Sequence, residues 1–503
     1  MKVQQLLIDS DEEVVRKVIK EVLNLFKITV IDASDDFELQ GNSAIAAFDI
    51  RHKISMNSIV RVKTCLTIRY VGGSQDVLEK MSEGCADEHP RAARHRLIKR
   101  NLYDLLLKHF DFFPVPWGIL HGVRPTKIVH RLIRDGMEED EIVNRLIEHY
   151  RASYEKARYM TRLAFRQLPF LAQSDSRTVS VYVGIPFCRT RCLYCSFPAY
   201  ILPTEEELSA FFAVWKKDLE AAKEAIDRYG LKVQTIYVGG GTPTSLPDNV
   251  FHEMLALVRS SLYRAETVEF TVEAGRPDTI TKAKAQSMAA LGVTRVSVNP
   301  QTMQARTLRR IGRAHTPENV EEMYRLLKGV GDFSVNMDII LGLPGETRDD
   351  VRDTMRRVLA LHPEDVTLHS LALKRGSILK MHLEAYELPA DEEVQAMFDE
   401  AMGQVLEAGL QPYYLYRQGY MAGDLENVGC ARPGEESIYN IQIMEENQTI
   451  IGVGCAATSK VVNHSKRRMR SAFNAKDMIT YLRDIDVYIE KRAALLEEVY
   501  TPL

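Results

Sequence analysis

The sequence has no long, uninterrupted apolar stretch. None of its segments approaches the ~18 consecutive apolar residues that a membrane-spanning helix requires. Its first residues, Met1–Lys17, also lack the basic segment followed by an apolar one that marks a signal peptide. We therefore expect a cytoplasmic protein with reduced thiols and no membrane span.

The chain also lacks a strong charge of either sign. It holds 65 Lys and Arg against 69 Asp and Glu, so the whole molecule is not expected to attract nucleic acid. With 503 residues, of which 45% are hydrophobic and 27% charged, the chain is globular in composition and long enough for two to four domains. The exception is Arg91–Arg134, with ten Lys or Arg and only two acids. This stretch indicates either a basic helical face paired with acidic neighbours or a surface for an anionic substrate or RNA.

Cysteine is scarce, and its distribution is uneven. Three of the seven cysteines, Cys188, Cys192 and Cys195, lie within eight residues in a C-x3-C-x2-C array. Thiolates this close on a loop suit a soft metal or an iron–sulfur cluster. No fourth Cys or His follows before His252, so a four-iron cluster held here would keep one iron without a protein ligand. Such an open position is what a catalytic metal centre requires.

Two other interpretations of the three cysteines stay open at this point. Zinc usually has four ligands in paired C-x2-C units, and the second pair is missing here. The three could also be unrelated buried residues. A disulfide is not expected in a chain without secretion features. The cysteines expected to be small core residues are Cys65, Cys85, Cys430 and Cys455.

From Thr178 onward, strand-like and helix-like segments alternate. Six such repeats predict a parallel, barrel-like sheet. The clearest helix is Glu205–Tyr229, whose apolar residues form one stripe and which Gly230 should end. The candidate strands are Thr178–Val183, Val233–Val238, Thr267–Glu273, Thr294–Val298, Ser334–Ile340 and Asp365–Ser370.

Glycines and polar residues gather where each candidate strand ends. Loops that follow parallel strands meet over one face of a barrel, and chemistry is expected there. By itself the GGGTPT turn indicates only a place where backbone can approach a ligand closely, and the acids could simply pair with lysines. The residues at these strand ends are Cys188–Cys195, Gly239–Thr244, Glu273, Asn299, Gln301, Asp338 and His369.

The cysteine array, with Tyr194 before its third cysteine, resembles the radical S-adenosylmethionine (SAM) superfamily. The sequence from Tyr182 to Cys188 (YVGIPFC) is similar to the corresponding segment of the oxygen-independent coproporphyrinogen III oxidases, also called coproporphyrinogen dehydrogenases. The resemblance extends from Arg177 to Lys460. It implies an α/β fold with an incomplete (β/α)6 radical SAM barrel, open on one side, an α+β N-terminal domain and a C-terminal α+β cap.

The resemblance also implies cofactors, partners and site residues. Cys188, Cys192 and Cys195 would hold a [4Fe–4S] cluster whose open iron binds SAM, and together with Tyr182 they would carry the catalysis. In the family, a 5′-deoxyadenosyl radical takes hydrogen from two propionates, which lose CO2, so that coproporphyrinogen III becomes protoporphyrinogen IX. The implied partners are coproporphyrinogen III or a related tetrapyrrole and an electron donor such as flavodoxin or ferredoxin. The implied SAM-binding residues are Tyr182, Gly240, Gly241, Thr242, Glu273, Gln301, Arg313 and Asp338.

Two departures from the oxidases bear on this function. A fourth Cys, two residues after the third in characterised oxidases, is Phe197 here, and a His two residues after the Tyr is Gly184. Phe197 is shared with a haem-chaperone branch, which carries a C-terminal His-Asn-x-x-Tyr-Trp segment. This chain has only Trp117 and Trp215, so it lacks that segment. The long N-terminal region and the LENVG wording from Leu425 resemble the HemZ-type branch instead. We therefore expect the oxidase, with a haem-binding chaperone or a tRNA-modifying radical SAM enzyme as alternatives.

Three domains are expected. Residues 1–172 form an N-terminal α+β and helical domain of unknown role, 177–388 the radical SAM barrel, and 389–503 a domain that closes over substrate. The basic cluster Lys466–Arg470 is either a solvated loop or a partner for the four substrate carboxylates.

Local patterns within the first domain predict its main elements. Asp11–Phe26 has a helical period, and Glu138–Leu171 indicates one long helical stretch before a linker at Ser174–Ser176. The segments Ser43–Ile50 and Ile59–Tyr70 are expected to be strands.

Overall fold

The structure is a computed structural model, and it describes residues 1–10, 12–30, 45–56, 59–85, 88–120, 122, 124–374, 376–418, 421, 423, 425–466 and 468–501. The chain divides into two compact units, Met1–Arg162 (unit 1) and Leu163–Leu503 (unit 2). Predictions that include Asp11, Ser43 or Arg467 lie, at those residues, outside the described ranges.

Unit 1 packs helices on a four-stranded sheet. Its helices are Glu13–Leu25 (α1), Pro90–His109 (α2), Thr126–Arg134 (α3), Glu139–Tyr150 (α4) and the start of Tyr154–Leu171 (α5). Its strands are Lys2–Val3 (β1), Gln5–Ile8 (β2), Thr29–Val30 (β3), Ile45–Met56 (β4), Val60–Tyr70 (β5) and Gln75–Glu83 (β6). The sheet order is β2-β4-β5-β6, and α1 and α2 share its apolar core. The predicted helix and strands of this region therefore correspond to α1, β4 and β5.

The long helical stretch predicted over Glu138–Leu171 is two helices. Arg151 follows α4 with φ +60°, in the left-handed region, and α5 begins three residues later. The second half of α5 belongs to unit 2, where Arg166 pairs with Glu436 at 2.6 Å and Gln167 Nε2 donates to Tyr413 O at 2.9 Å. The hydrophobic period continues across the break, so the pattern alone could not show it.

The basic stretch Arg91–Arg134 forms most of α2 and all of α3. Part of its positive charge is neutralised within unit 1. The ion pairs join Arg94 to Glu12, Arg96 to Glu88 and Lys99 to Glu21. These contacts support a basic helical face that pairs with acidic neighbours.

Unit 2 contains thirteen strands among the described residues. They are Thr178–Ile185 (β7), Phe187–Cys188 (β8), Tyr200–Ile201 (β9), Lys232–Gly240 (β10), Glu269–Glu273 (β11), Arg295–Ser297 (β12), Ser334–Leu341 (β13), Asp365–Ser370 (β14), Gln411–Tyr416 (β15), Asn427–Ala431 (β16), Thr449–Val453 (β17), Thr458–Asn463 (β18) and Arg468–Phe473 (β19). The helices are Glu205–Arg228 (α6), Asp248–Leu262 (α7), Lys282–Ala290 (α8), Ala305–Arg310 (α9), Pro317–Val330 (α10), Arg348–Leu359 (α11), Ile378–Met381 (α12), Asp391–Glu407 (α13), Ile438–Glu445 (α14), Met478–Arg483 (α15) and Ile485–Glu497 (α16).

Six parallel strands form the centre of unit 2. In the order β7-β10-β11-β12-β13-β14 each strand pairs in parallel with the next, and helices lie between them along the chain. These are the six strands that the sequence predicted. The sheet containing them runs from β15 to β19 without closing, within the described residues. The incomplete barrel is therefore confirmed.

The first helix of the barrel follows directly from its sequence. Thr204 and Glu207 form a reciprocal capping box at the start of α6. Its predicted apolar stripe is buried, from Leu208 and Phe211 to Trp215 and beyond. A helix with one apolar face gains most of its stability from this burial against the sheet.

The segment after α13 extends the parallel sheet at both of its edges. Strand β16 pairs antiparallel with β14, and β15 adds outside it. At the other edge β17 pairs in parallel with β7, and β18 and β19 follow as an antiparallel hairpin. None of the described helices combines the length and the apolar character that a bilayer crossing needs.

Candidate active site

The three clustered cysteines lie in the loop after β7. Cys188 ends β8, which pairs with β9, and Cys192 is buried. Backbone hydrogen bonds fix the loop: Leu193 N–H donates to Ile311 O (3.0 Å), and Leu379 N–H donates to Leu193 O (2.9 Å). The barrel itself therefore holds this loop in place.

No three His, Cys, Asp or Glu side chains within the described ranges are placed to hold one metal ion together. The ligands of one zinc ion, each about 2.3 Å from it, must nearly touch one another. Cysteines on a four-iron cluster each bind a different iron and stand further apart. The described residues therefore form no three-ligand site for a single ion such as zinc, and this observation does not bear on a four-iron cluster.

The glycine turn after β10 packs against the start of the cysteine loop. Gly241 N–H donates to Ile185 O (2.8 Å), and Thr242 N–H donates to Phe187 O (2.7 Å). A Cβ at Gly241 would lie 2.5 Å from Phe187 O, closer than any side chain tolerates. Gly240 has φ +111°, which glycine alone adopts readily. Both glycines are therefore required for this close approach.

Glu273, at the end of β11, lies under the glycine turn. Its carboxyl oxygens accept hydrogen bonds from Tyr237 Oη (2.7 Å) and Gly240 N–H (3.2 Å). Burial raises the pKa of Glu273 to about 7, nearby Asp338 acts in the same direction, and the two hydrogen bonds oppose the shift. The charge of this group therefore changes near neutral pH.

Tyr182, on β7, lies beside the same turn. Its ring centroid is 6.1 Å from that of Tyr237, which in turn stacks on Tyr439 at 4.4 Å. Burial, with a smaller effect of Glu273, raises the pKa of Tyr182, so its hydroxyl stays protonated. A Cβ at Gly240 would lie 3.3 Å from this hydroxyl, which places the hydroxyl at the turn.

Arg313 connects three loops. Its Nη1 donates to Gly275 O (2.8 Å) and Asn299 O (3.0 Å), and its Nη2 donates to Tyr194 Oη (3.1 Å). Burial disfavours the guanidinium charge, but Tyr194 and Cys192 beside it raise the pKa of Arg313. Arg313 thus joins the loops after β11 and β12 to the cysteine loop.

Asp338, on β13, faces the same space. Its Oδ1 accepts a hydrogen bond from Asn336 Nδ2 (2.8 Å) and lies 3.6 Å from His369 Nε2. Burial works against the charge, yet His369 and Asn336 hold the pKa of Asp338 below its ordinary value. The group therefore remains a carboxylate.

Gln301 has an unusual backbone. Its φ is +65°, in the left-handed region that non-glycine residues rarely adopt. Its N–H donates to Asp338 O (2.9 Å), and its carbonyl accepts from Ile340 N–H (2.9 Å). Strained backbone of this kind collects at functional sites, where the surrounding structure holds it.

A cavity of about 330 Å³ opens over the ends of β11 to β14. It brings together four of the residues predicted to hold the cluster or SAM, as well as Asn299 and His369 from the predicted strand ends, and is otherwise lined mainly by uncharged polar side chains and tyrosines. Lys374 is the single Lys or Arg among the described lining residues. Of the residues predicted for the cluster or SAM, those in the lining are Cys195, Glu273, Gln301 and Asp338, and those outside it are Tyr182, Cys188, Cys192, Gly240, Gly241, Thr242 and Arg313.

Sequence reasoning missed several of the lining residues. Tyr237 precedes Gly239 by two positions, and Asn336 precedes Asp338 by two, so each shares a strand face with a residue that was found. Because every second side chain of a strand lies on the same face, this alternation could have revealed Tyr237 and Asn336. Lys374, in the loop after β14, had no such signal.

The position of Gly184 has a structural explanation. A Cβ there would lie 3.1 Å from Cys455 O, and a Cβ at Gly454 would lie 2.2 Å from Gly184 O. A side chain at position 184 would therefore be tight against the segment after β17, which would have to move by a few tenths of an ångström.

For the described residues of Lys466–Arg470, the structure favours a solvated loop over a partner for substrate carboxylates. β17 runs parallel to β7, and β18 returns antiparallel to it. The β18–β19 turn, closed by the Asn463–Arg468 pair, therefore lies at the opposite end of the sheet from the cysteine loop. Arg470 pairs with Glu498 instead.

Comparisons with known proteins agree with this architecture. The radical SAM superfamily model matches residues 182–358. The oxygen-independent coproporphyrinogen-III oxidase-like protein HemZ of Bacillus subtilis is 41% identical over 393 residues, which cover 76% of this chain and 77% of HemZ. The heme chaperone HemW of Escherichia coli is 27% identical over 293 residues, which cover 58% of this chain and 73% of HemW.

A solved structure shows the same fold. Coproporphyrinogen III oxidase (HemN) from Escherichia coli, a radical SAM enzyme, aligns with a TM-score of 0.51 and 22% identity, over 64% of this chain and 72% of that chain. The radical SAM superfamily uses a [4Fe–4S] cluster and SAM, and these are the cofactors of this chain. The chain belongs to the radical SAM enzymes and, among them, to the family of the coproporphyrinogen-III oxidase-like protein HemZ.

Proposed function

We propose that this protein catalyses the oxygen-independent oxidative decarboxylation of coproporphyrinogen III to protoporphyrinogen IX, a step of haem biosynthesis. One observation carries the proposal: Glu273, Gln301 and Asp338 line a single cavity together with Cys195. A site for SAM thus adjoins a site for the cluster and opens into space for a substrate. The names of HemZ and HemN support the choice of substrate.

The residues fit both cofactors. Three thiols on one fixed loop suit three irons of a [4Fe–4S] cluster and leave the fourth iron for SAM. We assign Cys188, Cys192 and Cys195 to this role. The turn at Gly240 and Gly241 has no room for side chains, so its backbone can approach a ligand closely.

We assign the remaining predicted residues to SAM. The Glu273 carboxylate suits the SAM amino group, and Asp338 and Gln301 suit hydroxyl groups, as acidic groups at strand ends do in nucleotide sites. Tyr182 and Thr242 flank the glycine turn. Arg313 supports the site by holding Tyr194 and two loop carbonyls.

When bound, the cluster and SAM supply a 5′-deoxyadenosyl radical, an oxidant able to attack an unactivated carbon–hydrogen bond. Each reacting propionate loses one hydrogen atom from its β-carbon, then CO2 and one electron, which leaves a vinyl group. An acceptor must take that electron, and a donor such as flavodoxin or ferredoxin must reduce the cluster. The protein orients the propionate and excludes water from the cavity.

Lys374 is the cation that we assign to a substrate carboxylate. Its ammonium lies 5.7 Å from the Phe197 ring centroid and forms no ion pair with a described carboxylate. Burial lowers the pKa of Lys374, with Cys195 opposing the shift. A propionate placed there would gain a charge-assisted hydrogen bond and restore the lost solvation.

Anaerobic reconstitution tests the proposal. The protein with iron, sulfide, SAM, dithionite, coproporphyrinogen III and an added one-electron acceptor should release 5′-deoxyadenosine and CO2 and form protoporphyrinogen IX. Serine at Cys188, Cys192 or Cys195 should abolish all three products and the iron–sulfur absorption, whereas Cys65→Ser, in unit 1, should keep them. Purified protein that holds zinc, or no inorganic sulfide, would contradict the proposal.

A haem chaperone is the second candidate, because HemW proteins are relatives and Phe197 replaces the fourth cysteine of the oxidases. This function requires a Soret shift on addition of haem and no release of CO2 from coproporphyrinogen. A tRNA-modifying enzyme has less support, since part of Arg91–Arg134 is already paired with carboxylates.

A further inference from the structure

Arg276 is a buried arginine that no motif assigns to the site. It follows β11 by three residues, and its side chain is only 2% exposed. The guanidinium forms hydrogen bonds with two residues of the cysteine loop: its Nη1 donates to Thr190 O (3.0 Å) and to Cys192 Sγ (3.8 Å). Its Nε lies 3.4 Å from Asp278 Oδ1, at the long end of hydrogen-bond distance.

The charge of Arg276 is incompletely compensated within the described residues. Its Nη2 is buried and has no hydrogen-bond partner there. The Asp278 carboxylate also pairs with Arg189, whose Nη1 lies 3.7 Å from Asp278 Oδ2. The buried guanidinium of Arg313 adds a second positive charge near Cys192. A buried cation requires a negative partner close by. Three thiolates on an oxidised four-iron core form an anion, which is such a partner.

We propose that Arg276 is a positioning residue that hydrogen-bonds the Cys192 thiolate and makes the iron–sulfur cluster easier to reduce. Hydrogen bonds to cluster sulfurs and the net charge around them set the reduction potential. A buried cation stabilises the added electron, because the interaction is stronger away from water. The inference rests on the assignment of Cys192 to the cluster under the proposed function.

The test is the midpoint potential of the reconstituted protein, titrated with dithionite and followed by electron paramagnetic resonance. Arg276→Met should lower the potential by at least 59 mV, a tenfold change in a one-electron equilibrium. Arg276→Lys, which keeps the charge without the planar fork, should fall between Arg276→Met and the parent protein. Arg189→Met is the matched control, because Arg189 lies in the cysteine loop and donates to Asp278 O (2.9 Å), whereas Arg276 donates to Cys192 Sγ.

The outcomes separate this inference from the proposed function. If Arg276→Met keeps its full iron and sulfide and its reduction potential is unchanged, the tuning role of Arg276 is overturned. If Arg276→Met loses the cluster, an unchanged reduction potential in Arg276→Lys overturns that role. Loss of the cluster in both variants reduces Arg276 to a support of the loop and also overturns the tuning role. A parent protein without a cluster contradicts the proposed function itself. A parent with a cluster but no CO2 release contradicts only the substrate, since the titration needs no turnover.

Discussion

Glu273 should make SAM binding depend on pH near neutrality. Burial raises the pKa of Glu273 to about 7, and the carboxylate accepts hydrogen bonds from the SAM amino group more strongly than the protonated carboxyl group does. Affinity should fall by up to about tenfold for each pH unit below 7 and level off above it. Calorimetric titration of the reconstituted protein with SAM, from pH 5.5 to 7.5, measures this. Glu273→Gln should bind more weakly, with a flat profile.

The same shift acts on stability with the opposite sign. A raised pKa means that the fold favours the protonated carboxyl group. Its contribution is complete below the unfolded value of 4.5 and is lost as pH rises through about 7. Without SAM, Glu273→Gln should therefore lose less stability than the parent between pH 5 and pH 8. A parent whose SAM affinity is constant over this range would contradict the assignment.

Lys374→Met should raise the KM for coproporphyrinogen at least about tenfold. A charge-assisted hydrogen bond contributes roughly 1.5–3 kcal/mol, and about 1.4 kcal/mol corresponds to a factor of ten. Initial rates of CO2 release give kcat and KM separately. Lys466→Met is the control, because Lys466 lies at the other end of the sheet, and it should leave KM unchanged. Equal KM values for both variants would remove Lys374 from the substrate site.

The sequence revealed residues that belong to motifs and missed those defined by contacts. Cys195, Glu273, Gln301 and Asp338 were predicted, and the structure gathers them around one cavity. The hydrogen bond from Arg276 to Cys192 joins two loops that follow different strands, and the two residues are 84 positions apart in the chain. No local pattern encodes such a contact.

The glycine turn after β10 is the element with least tolerance for change. Gly241→Ala places a Cβ 2.5 Å from a backbone oxygen, so the turn must move and SAM affinity should fall at least tenfold. The strain should also destabilise the protein by about 1–3 kcal/mol. SAM titration and chemical denaturation measure the two effects.

Gly403→Ala is the matched control for this substitution. Gly403 lies inside α13, and apart from the backbone of its own helix no atom lies within 4 Å of the added Cβ. Alanine there should stabilise the helix by about 0.5–1 kcal/mol and leave SAM binding unchanged. If both variants bind SAM equally well, the tight approach at Gly241 has no role in the site.

Elements with strong local signals were predictable, and their breaks were not. The six parallel strands and α6 follow from apolar runs, glycine stops and a capping box. The break between α4 and α5 depends on Arg151 at φ +60°. Arginine has no preference for that conformation, so tertiary packing must impose it.

At the scale of the whole molecule, strand neighbours far apart in sequence could not be predicted. The C-terminal segment was expected to close over substrate, and that role remains a prediction. The structure shows that its strands also extend both edges of the parallel sheet, with β17 beside β7. Any exposed strand edge can pair with another strand, so which strand pairs with which edge depends on contacts between residues hundreds of positions apart in the sequence. One such contact is the buried pair Asp218–Arg492.

Arg492→Met should destabilise unit 2 by about 3–5 kcal/mol. Arg492 Nη1 lies 2.6 Å from Asp218 Oδ1, and both side chains are at most 3% exposed. The same carboxylate accepts hydrogen bonds from Gly454 N–H (2.8 Å) and Tyr481 Oη (3.0 Å). Removing the cation leaves a buried charge without its ionic partner at the junction of α6, α16 and the C-terminal strands. Urea unfolding followed by tryptophan fluorescence, with Trp117→Phe in both proteins so that only Trp215 on α6 reports, measures the loss.

The same two helices provide the control. Lys217 and Asp486 form an exposed ion pair between α6 and α16, with side chains 55% and 67% accessible. Lys217→Met should cost less than about 1 kcal/mol, because water screens that pair. A large difference between the variants means that the buried carboxylate, rather than charge pairing as such, fastens the C-terminal helix to the barrel. Equal effects would mean that α16 packs by its apolar face alone.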